Sequence, residues 1–146
     1  MGRQILSAWP RGSLVALNTA GSTPFYAEDL AFIDMLGLND AHIARRAITG
    51  IEVPWQAVPG HLKGDGAYVL ARRPDFVIIG PAEGSTVREP MFLSDLEVAR
   101  DPRFLMDYDL RQERLDVRGQ TGFRLYPATR TGMLTFTYYE RRRQRP

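Results

Sequence analysis

The chain has 146 residues, of which 44% are hydrophobic, 25% are charged and none is cysteine. This length and composition are typical of one globular domain with its own core, and the lack of cysteine excludes disulfides, thiolate nucleophiles and cysteine-based zinc sites. The net charge is +2, but four arginines in the terminal "ERRRQRP" supply that excess, so the body of the chain is slightly acidic and binding to nucleic acid is not predicted.

The first part of the chain predicts strands that alternate with helices. Residues 3–9 indicate a short helix, and the apolar run "SLVALN" indicates a buried strand at Ser13–Asn18. Proline at the first helical position predicts a short helix at Pro24–Ala27. The run "LAFIDMLG" predicts the second strand, and "LNDAHIARRAI" predicts a helix with Asn39 or Asp40 as its N-cap.

The rest of the chain begins with an irregular stretch and ends with alternating patterns. "TGIEVPWQAVPGHLKGDG" contains two prolines and four glycines and is predicted to be a loop. "DGAYVLARRP" predicts a helix capped by Asp65 and ended before Pro74, followed by the apolar strand "DFVIIG". "LSDLEVAR" predicts a helix with Ser94 and Glu97 as a capping box. "YDLRQERLDV", "GFRLYPAT" and "MLTFTYYE" alternate apolar and polar residues, which is typical of antiparallel strands.

This order of elements predicts an α/β fold. Strands that alternate with helices indicate a three-layer Rossmann-like sheet, mostly parallel, to which the end of the chain adds an antiparallel C-terminal hairpin. Residues 1–140 are predicted to form a single domain, and residues 141–146 a basic disordered tail. No signal peptide is recognisable, and no apolar run approaches the ~20 residues of a membrane span, so the chain as given is expected to be soluble.

Ligands of such sheets bind beyond the carboxyl ends of the strands. Three strand ends carry glycine and polar groups, at Asn18–Ser22, Asp34–Asp40 and Gly80–Gly84. They predict either a crevice for a small ligand or a sugar phosphate, or turns that only connect strands to helices. "PGHLKGDG" leaves a similar choice, since His61 and Lys63 indicate a phosphate or acidic-sugar contact, whereas Asp65 indicates a helix cap behind a surface loop.

Motifs for cofactors and common catalytic sites are missing. "NTAGSTPF" has one glycine, which excludes the dinucleotide-binding fingerprint, and "PGHLKGDG" does not follow a strand, which excludes a P-loop. A Ser22–His61–Asp34 triad can be drawn, but nothing in the spacing supports it. His42 and His61 have no metal-ligand spacing. We therefore expect neither a cofactor nor a metal.

Longer stretches resemble one group of membrane proteins. "VALNTAGSTPFYAEDLAFIDMLGLNDAHIAR", "GHLKGDGAYVLARRPDFVIIG", "FLSDLEVARDPRFLMDYDL" and "GFRLYPATR" resemble the soluble C-terminal domain of certain bacterial multi-pass membrane proteins. Those proteins are similar to polyprenyl-phosphate-sugar-dependent glycosyltransferases of the C superfamily, including arabinofuranosyltransferase-like proteins. The resemblance covers about residues 5–130.

The resemblance implies a location and a role. The domain would lie on the extracytoplasmic, periplasmic face of the inner membrane, with "RQILSAWPRG" linking it to the last membrane helix. Its partner would be a glycan or a polyprenyl-linked sugar, reached through the parent protein, and it would meet the membrane only through the transmembrane part. The catalytic acid would belong to that membrane part, so the resemblance assigns no catalytic residue to this chain.

The first hypothesis is therefore a non-catalytic accessory domain of a membrane glycosyltransferase-like protein that contacts glycan or acceptor. One alternative is a free-standing enzyme that acts on a small sugar or phosphorylated substrate at the same crevice. A second is a protein interaction module. The oligomeric state is left open. The candidate ligand-binding residues share polar side chains near the strand ends or in the glycine-rich loop: Asn18, Thr19, Asp34, Asp40, His42, His61, Lys63 and Asp65.

Overall fold

A computed structural model describes residue 3, residues 7–118 and residues 132–142. The strands are β1 (Leu14–Leu17), β2 (Ala31–Asp34), β3 (Phe76–Ile78), β4 (Tyr108–Asp116) and β5 (Met133–Arg141). The helices are α1 (Ser22–Phe25), α2 (Ala41–Arg45), α3 (Gly66–Ala71), α4 (Leu93–Arg100) and α5 (Pro102–Asp107), with a 3-10 turn at Pro54–Ala57. Residues 4–6 of the predicted first helix, the predicted strand "GFRLYPAT" and most of the predicted tail lie outside the described residues.

The strands form one five-stranded sheet in the order β2-β1-β3-β5-β4. β1 is parallel to both of its neighbours, so that Leu17 lies level with Asp34 of β2 and with Ile78 of β3. The three parallel strands finish at the same end of the sheet, which we call the carboxyl edge. The end at which they begin is called the amino edge. It also contains the start of β4 at Tyr108, which is paired with Arg141 of β5.

The prediction of a three-layer, mostly parallel Rossmann-like sheet was wrong. Among the described strands, β5 is antiparallel to both β3 and β4, and the β4–β5 pair is longer than any of the parallel pairs. The two faces are also unequal. Helices α2 to α5 contribute to the core on one face through Ile43, Val69, Val98 and Phe104. The other face is covered by Trp9 and by Ala27 and Leu30, which follow the four-residue α1.

Each face of the sheet has its own apolar cluster. Alternate side chains of β1 point to opposite sides, so Ala16 belongs to the cluster under the helices while Val15 and Leu17 belong to the other. In the second cluster, the ring of Trp9 stacks on that of Phe76 with centroids 3.9 Å apart. Within the described residues, no helix has both the length and the apolarity needed to cross a membrane.

Helix α3 approaches α4 closely at Gly66, the first residue of α3. A β-carbon at this position would lie 2.7 Å from the backbone nitrogen of Val98 and 2.6 Å from the β-carbon of Glu97. Any larger residue would therefore push α3 away from α4. Glycine at this place is explained by helix packing.

Candidate functional site

A cavity of about 300 Å³ opens at the carboxyl edge between the ends of β1 and β2. We call it the strand-end pocket. Four of its lining residues are apolar, and the other three are two aspartates and an asparagine. The residues that line it are Leu17, Ala20, Pro24, Phe32, Asp34, Asn39 and Asp40.

Asp34 builds the corner that holds this pocket open. Its side chain belongs to a residue only 6% exposed, and its carboxylate accepts hydrogen bonds from the backbone N–H groups of Leu36 at 3.0 Å and Asn39 at 2.5 Å. These two bonds turn the chain between β2 and α2. Asp34 and Asn18 both lie at the carboxyl edge, because the strands that carry them are parallel.

Asp40, His42 and Asp65 come together around Tyr68. The predicted caps are confirmed: Asp40 accepts from the N–H groups of His42 and Ile43, and Asp65 accepts from that of Tyr68. The remaining oxygen of Asp40 accepts from the Tyr68 hydroxyl at 3.1 Å. The remaining oxygen of Asp65 lies 3.2 Å from Nε2 of His42, whose ring stacks on Tyr68. The cluster therefore ties α2 to α3.

Lys63 and Arg46 close the base of a long loop formed by residues 46–64. The ammonium group of Lys63 donates to the carbonyl oxygen of Arg46 at 2.5 Å, and the guanidinium of Arg46 donates to the carbonyl oxygen of Gly64 at 2.5 Å. Arg46 also pairs with Glu97 of α4. These hydrogen bonds hold the two ends of residues 46–64 together, and we call this segment the long loop.

The glycine-rich part of this loop uses its amides inside the protein. The N–H of Asp65 donates to Oγ of Ser94 at 2.9 Å, and the N–H of Gly66 donates to the carboxylate of Glu97 at 2.7 Å. Ser94 and Glu97 therefore do not form the predicted capping box. They anchor the start of α3 instead, so these two amides are not free to bind an anion.

His61 and Thr19 lie apart from the Asp40 cluster. The ring of His61 stacks on Phe92 with centroids 5.2 Å apart, and its Nδ1 is buried without a hydrogen-bond partner in the described part of the protein. Oγ1 of Thr19 lies 3.4 Å from Oγ1 of Thr23 in α1. Asp34 and Asp40 are thus the candidate residues that share the strand-end pocket.

Asn18 contacts a buried carboxylate that sequence reasoning missed. Its amide nitrogen donates to Asp95 at 2.8 Å and to the carbonyl oxygen of Gly80 at 3.2 Å. Asp95 has no exposed surface and also accepts from the N–H groups of Gly80, Met91 and Phe92. These hydrogen bonds connect the ends of β1 and β3 to the first turn of α4, and we call them the joint at Asp95. The sequence signal was an aspartate three residues after Phe92, the N-cap of α4.

The profile of one protein family matches residues 1–142, and its description is "Domain of unknown function (DUF8728)". The chain belongs to this family. Comparison with curated proteins and with solved structures gives no match. The function must therefore be argued from the site.

The joint at Asp95 predicts an unusual pH dependence. Burial raises the pKa of Asp95 above its ordinary value of 3.8, against the lowering effect of its hydrogen bonds to Asn18 and three backbone amides. The native state therefore holds this proton more tightly than the unfolded chain. The stability that Asp95 contributes is fully present below pH 3.8 and is lost as the pH rises through the native pKa.

We expect Asp95→Asn to gain stability relative to the wild type as the pH rises above 3.8, in urea unfolding at a series of pH values. Asp116→Asn is the matched control with the opposite sign, because Arg118 lowers the pKa of Asp116 to about 2. That variant should lose stability relative to the wild type as the pH rises from about 2 to 3.8. Parallel profiles for Asp95→Asn and the wild type would contradict the assignment.

Proposed function

We propose that this domain is a non-catalytic accessory domain of a membrane glycosyltransferase-like protein. It contacts a glycan, such as a sugar acceptor, at the strand-end pocket. The proposal combines the sequence resemblance with the chemistry of the pocket. The domain would act on the periplasmic side of the membrane and help to hold the acceptor for a catalytic centre elsewhere in the parent protein.

The observation that carries the proposal is that apolar and polar residues line the same pocket. Leu17, Pro24 and Phe32 offer apolar surface, while Asp34, Asn39 and Asp40 offer oxygen and nitrogen atoms. A sugar ring has the complementary arrangement, with C–H groups on its faces and hydroxyl groups around its edge. A volume of about 300 Å³ is at the small end for ligand pockets and suits one or two sugar residues.

Two exposed rings follow the lining residue Pro24 at the end of α1. Phe25 is 75% exposed and Tyr26 is 45% exposed, and their rings meet edge to face with centroids 5.1 Å apart. Phe25 directly follows Pro24, which lines the pocket. Exposed aromatic side chains beside a pocket extend the surface on which the apolar face of a second sugar could rest.

The hydrogen bonds of Asp34 and Asp40 support a binding role for these carboxylates over a catalytic one. Both oxygens of Asp34 accept from backbone N–H groups. Asp40 accepts from two N–H groups of α2 with one oxygen and from Tyr68 with the other. A general acid or base must exchange a proton with its substrate, and groups that are held in this way are better suited to accept hydrogen bonds from hydroxyls.

Replacing Asn39 with alanine tests the proposal. Asn39 is exposed, and its amide has one long contact of 3.5 Å to the carbonyl oxygen of Ala20, so truncation should leave the fold intact. Loss of one or two hydrogen bonds to a sugar should weaken binding about 5-fold to 10-fold. The measurement is an NMR titration of the domain with arabinan, galactan and mannan oligosaccharides, read from the backbone amides of the pocket.

The matched control is Leu105→Ala. Leu105 is 54% exposed and lies on α5, which leads into the start of β4 at the amino edge. This variant should bind the oligosaccharides like the wild type. The proposal fails if none of the oligosaccharides shifts the pocket amides at millimolar concentrations, or if Asn39→Ala and Leu105→Ala bind equally well.

A further inference from the structure

A second cavity, of about 310 Å³, lies at the amino edge, at the opposite end of the strands from the strand-end pocket. Three arginines, Arg73, Arg103 and Arg141, line it together with the carboxylate of Asp107. The end of α3 and the buried ring of Phe104 add apolar wall. We call it the arginine cavity. The strand-end pocket shares no residue with it.

Arg73 has an unusual backbone. Its φ is 51°, and it is the one non-glycine residue with a positive φ in the described part of the chain. It lies just beyond the carboxyl end of α3, where its N–H donates to the carbonyl oxygen of Leu70 at 3.0 Å. Glycine is the common residue at this position, because its backbone adopts the left-handed region without strain. Arginine here is unfavourable for the backbone.

Among the described residues, no hydrogen bond or ion pair holds the Arg73 side chain in place. It is exposed, and within the described residues its guanidinium takes part in no ion pair or hydrogen bond. The other two arginines are fixed. Arg103 forms a bidentate pair with Asp101, and Arg141 pairs with Asp75 at 2.6 Å and donates to the carbonyl oxygen of Pro74. The cavity therefore has two positioned guanidiniums and one free one.

The charges of two of the three arginines are matched by ion pairs. Asp101 pairs with Arg103 and Asp75 pairs with Arg141, and neither aspartate is among the lining residues, of which Asp107 is the single carboxylate. The hydroxyl of Tyr108 donates to Pro74, and burial raises its pKa, so it adds no charge. Arg73 is thus the lining arginine that is left to pair with an anion, whose organic part would rest on Phe104.

We propose that the arginine cavity binds a phosphate ester, either a small soluble one or the head group of a lipid. Guanidinium groups present planar forks of N–H donors that match phosphate oxygens. A non-glycine residue held in the left-handed region is often found where a ligand binds. This inference goes beyond the glycan proposal and does not depend on it, because the two cavities lie at opposite edges of the sheet.

The test uses Arg73→Gly in an NMR titration with glycerol 3-phosphate. Removing the guanidinium should weaken binding about 10-fold or more. The same change relieves the left-handed backbone and should raise the melting temperature by about 3 °C. Arg73→Gln removes the charge and keeps the strain, so it should lose the same affinity without the gain in melting temperature.

Arg114→Gln is the control. Arg114 is an exposed arginine on β4 with no ion pair among the described residues, so its loss removes an equal charge elsewhere. It should leave the titration unchanged. Equal binding by Arg73→Gly and Arg114→Gln would overturn the proposal and leave Arg73 as a cation at the carboxyl end of α3.

Vesicles that contain phosphatidic acid distinguish the two sources of the phosphate. Binding of glycerol 3-phosphate with no binding to vesicles supports a soluble ester, and the reverse supports a lipid head group, provided in each case that Arg73→Gly weakens that binding about 10-fold or more. Binding to neither probe would refute the proposal. The glycan titration with Asn39→Ala reads out at the other edge, so failure of one proposal is distinguishable from failure of the other.

Discussion

Replacing Asp95 with alanine is expected to lower the free energy of unfolding by about 4 kcal/mol. The carboxylate of Asp95, which has no exposed surface, accepts from the side chain of Asn18 and from three backbone N–H groups. Alanine would leave these four donors without this partner, in a largely buried region. Loss of the desolvation penalty of the carboxylate offsets part of this cost, which is why we expect less than the sum of four bonds. Urea unfolding at neutral pH measures the difference.

Two further variants make this test specific. Asp109→Ala removes a carboxylate whose pair with Arg142 is solvent-exposed, and it should cost at most about 1 kcal/mol. Asn18→Ala removes one of the four donors and should fall between the two. If Asp95→Ala costs no more than Asp109→Ala, the donors around Asp95 find other partners, and the joint does not hold the carboxyl edge together.

Replacing Gln56 with leucine is expected to cost about 3 kcal/mol. Gln56 is 1% exposed and belongs to the long loop of residues 46–64. Its oxygen accepts from the N–H groups of Glu52 and Val53, and its nitrogen donates to the carbonyl oxygens of Gly50 and Leu62. Leucine fills the same space but satisfies none of these four backbone groups. The effect should appear in urea unfolding and as faster hydrogen exchange in the loop.

Gln112→Leu is the matched control for this change. Gln112 is exposed on β4, where its nitrogen lies 3.3 Å from Oγ1 of Thr137. The same substitution should shift stability by less than about 1 kcal/mol there. If Gln56→Leu and Gln112→Leu lower the free energy of unfolding equally, other contacts order the loop and the hydrogen bonds of Gln56 are not needed for it.

The loop that Gln56 holds together also presents apolar side chains to solvent. Ile51 is 63% exposed and Trp55 is 43% exposed, and Leu38 of the neighbouring turn lies next to Gly60 of the loop. An ordered loop loses little conformational entropy when it meets a partner. If a partner binds these exposed apolar side chains, comparing its binding to the Gln56→Leu variant and to the wild type shows whether binding requires an ordered loop.

Local signals predicted the parts of the fold that depend on near neighbours. Asp40 and Asp65 were predicted to cap helices, and both do, since a cap needs only a short polar side chain and the free N–H groups two or three residues later. The apolar runs around β1 and β3 were likewise recognisable, because strands that are buried on both faces have few polar residues.

Ser94 and Glu97 show why the same reasoning failed elsewhere. Their spacing matches a capping box, but in the folded chain Ser94 donates to the carbonyl oxygen of Met35 and Glu97 pairs with Arg46. Both partners are about 50 or 60 positions away in sequence. A polar side chain at the start of a helix can satisfy its own helix or another element, and the sequence pattern does not distinguish these outcomes.

The amino-acid sequence by itself determined where the chain turns, which segments are apolar enough to be buried and which acids cap α2 and α3. Only the tertiary structure decided that β5 pairs with β3 in the antiparallel sense, that Asn18 meets Asp95 across 77 positions, and that Arg73 lines one cavity with two other arginines. The physical reason is the range of the interactions. Helix caps and apolar patterns act over a few residues, whereas strand order and buried hydrogen bonds depend on which distant segments are left to satisfy each other.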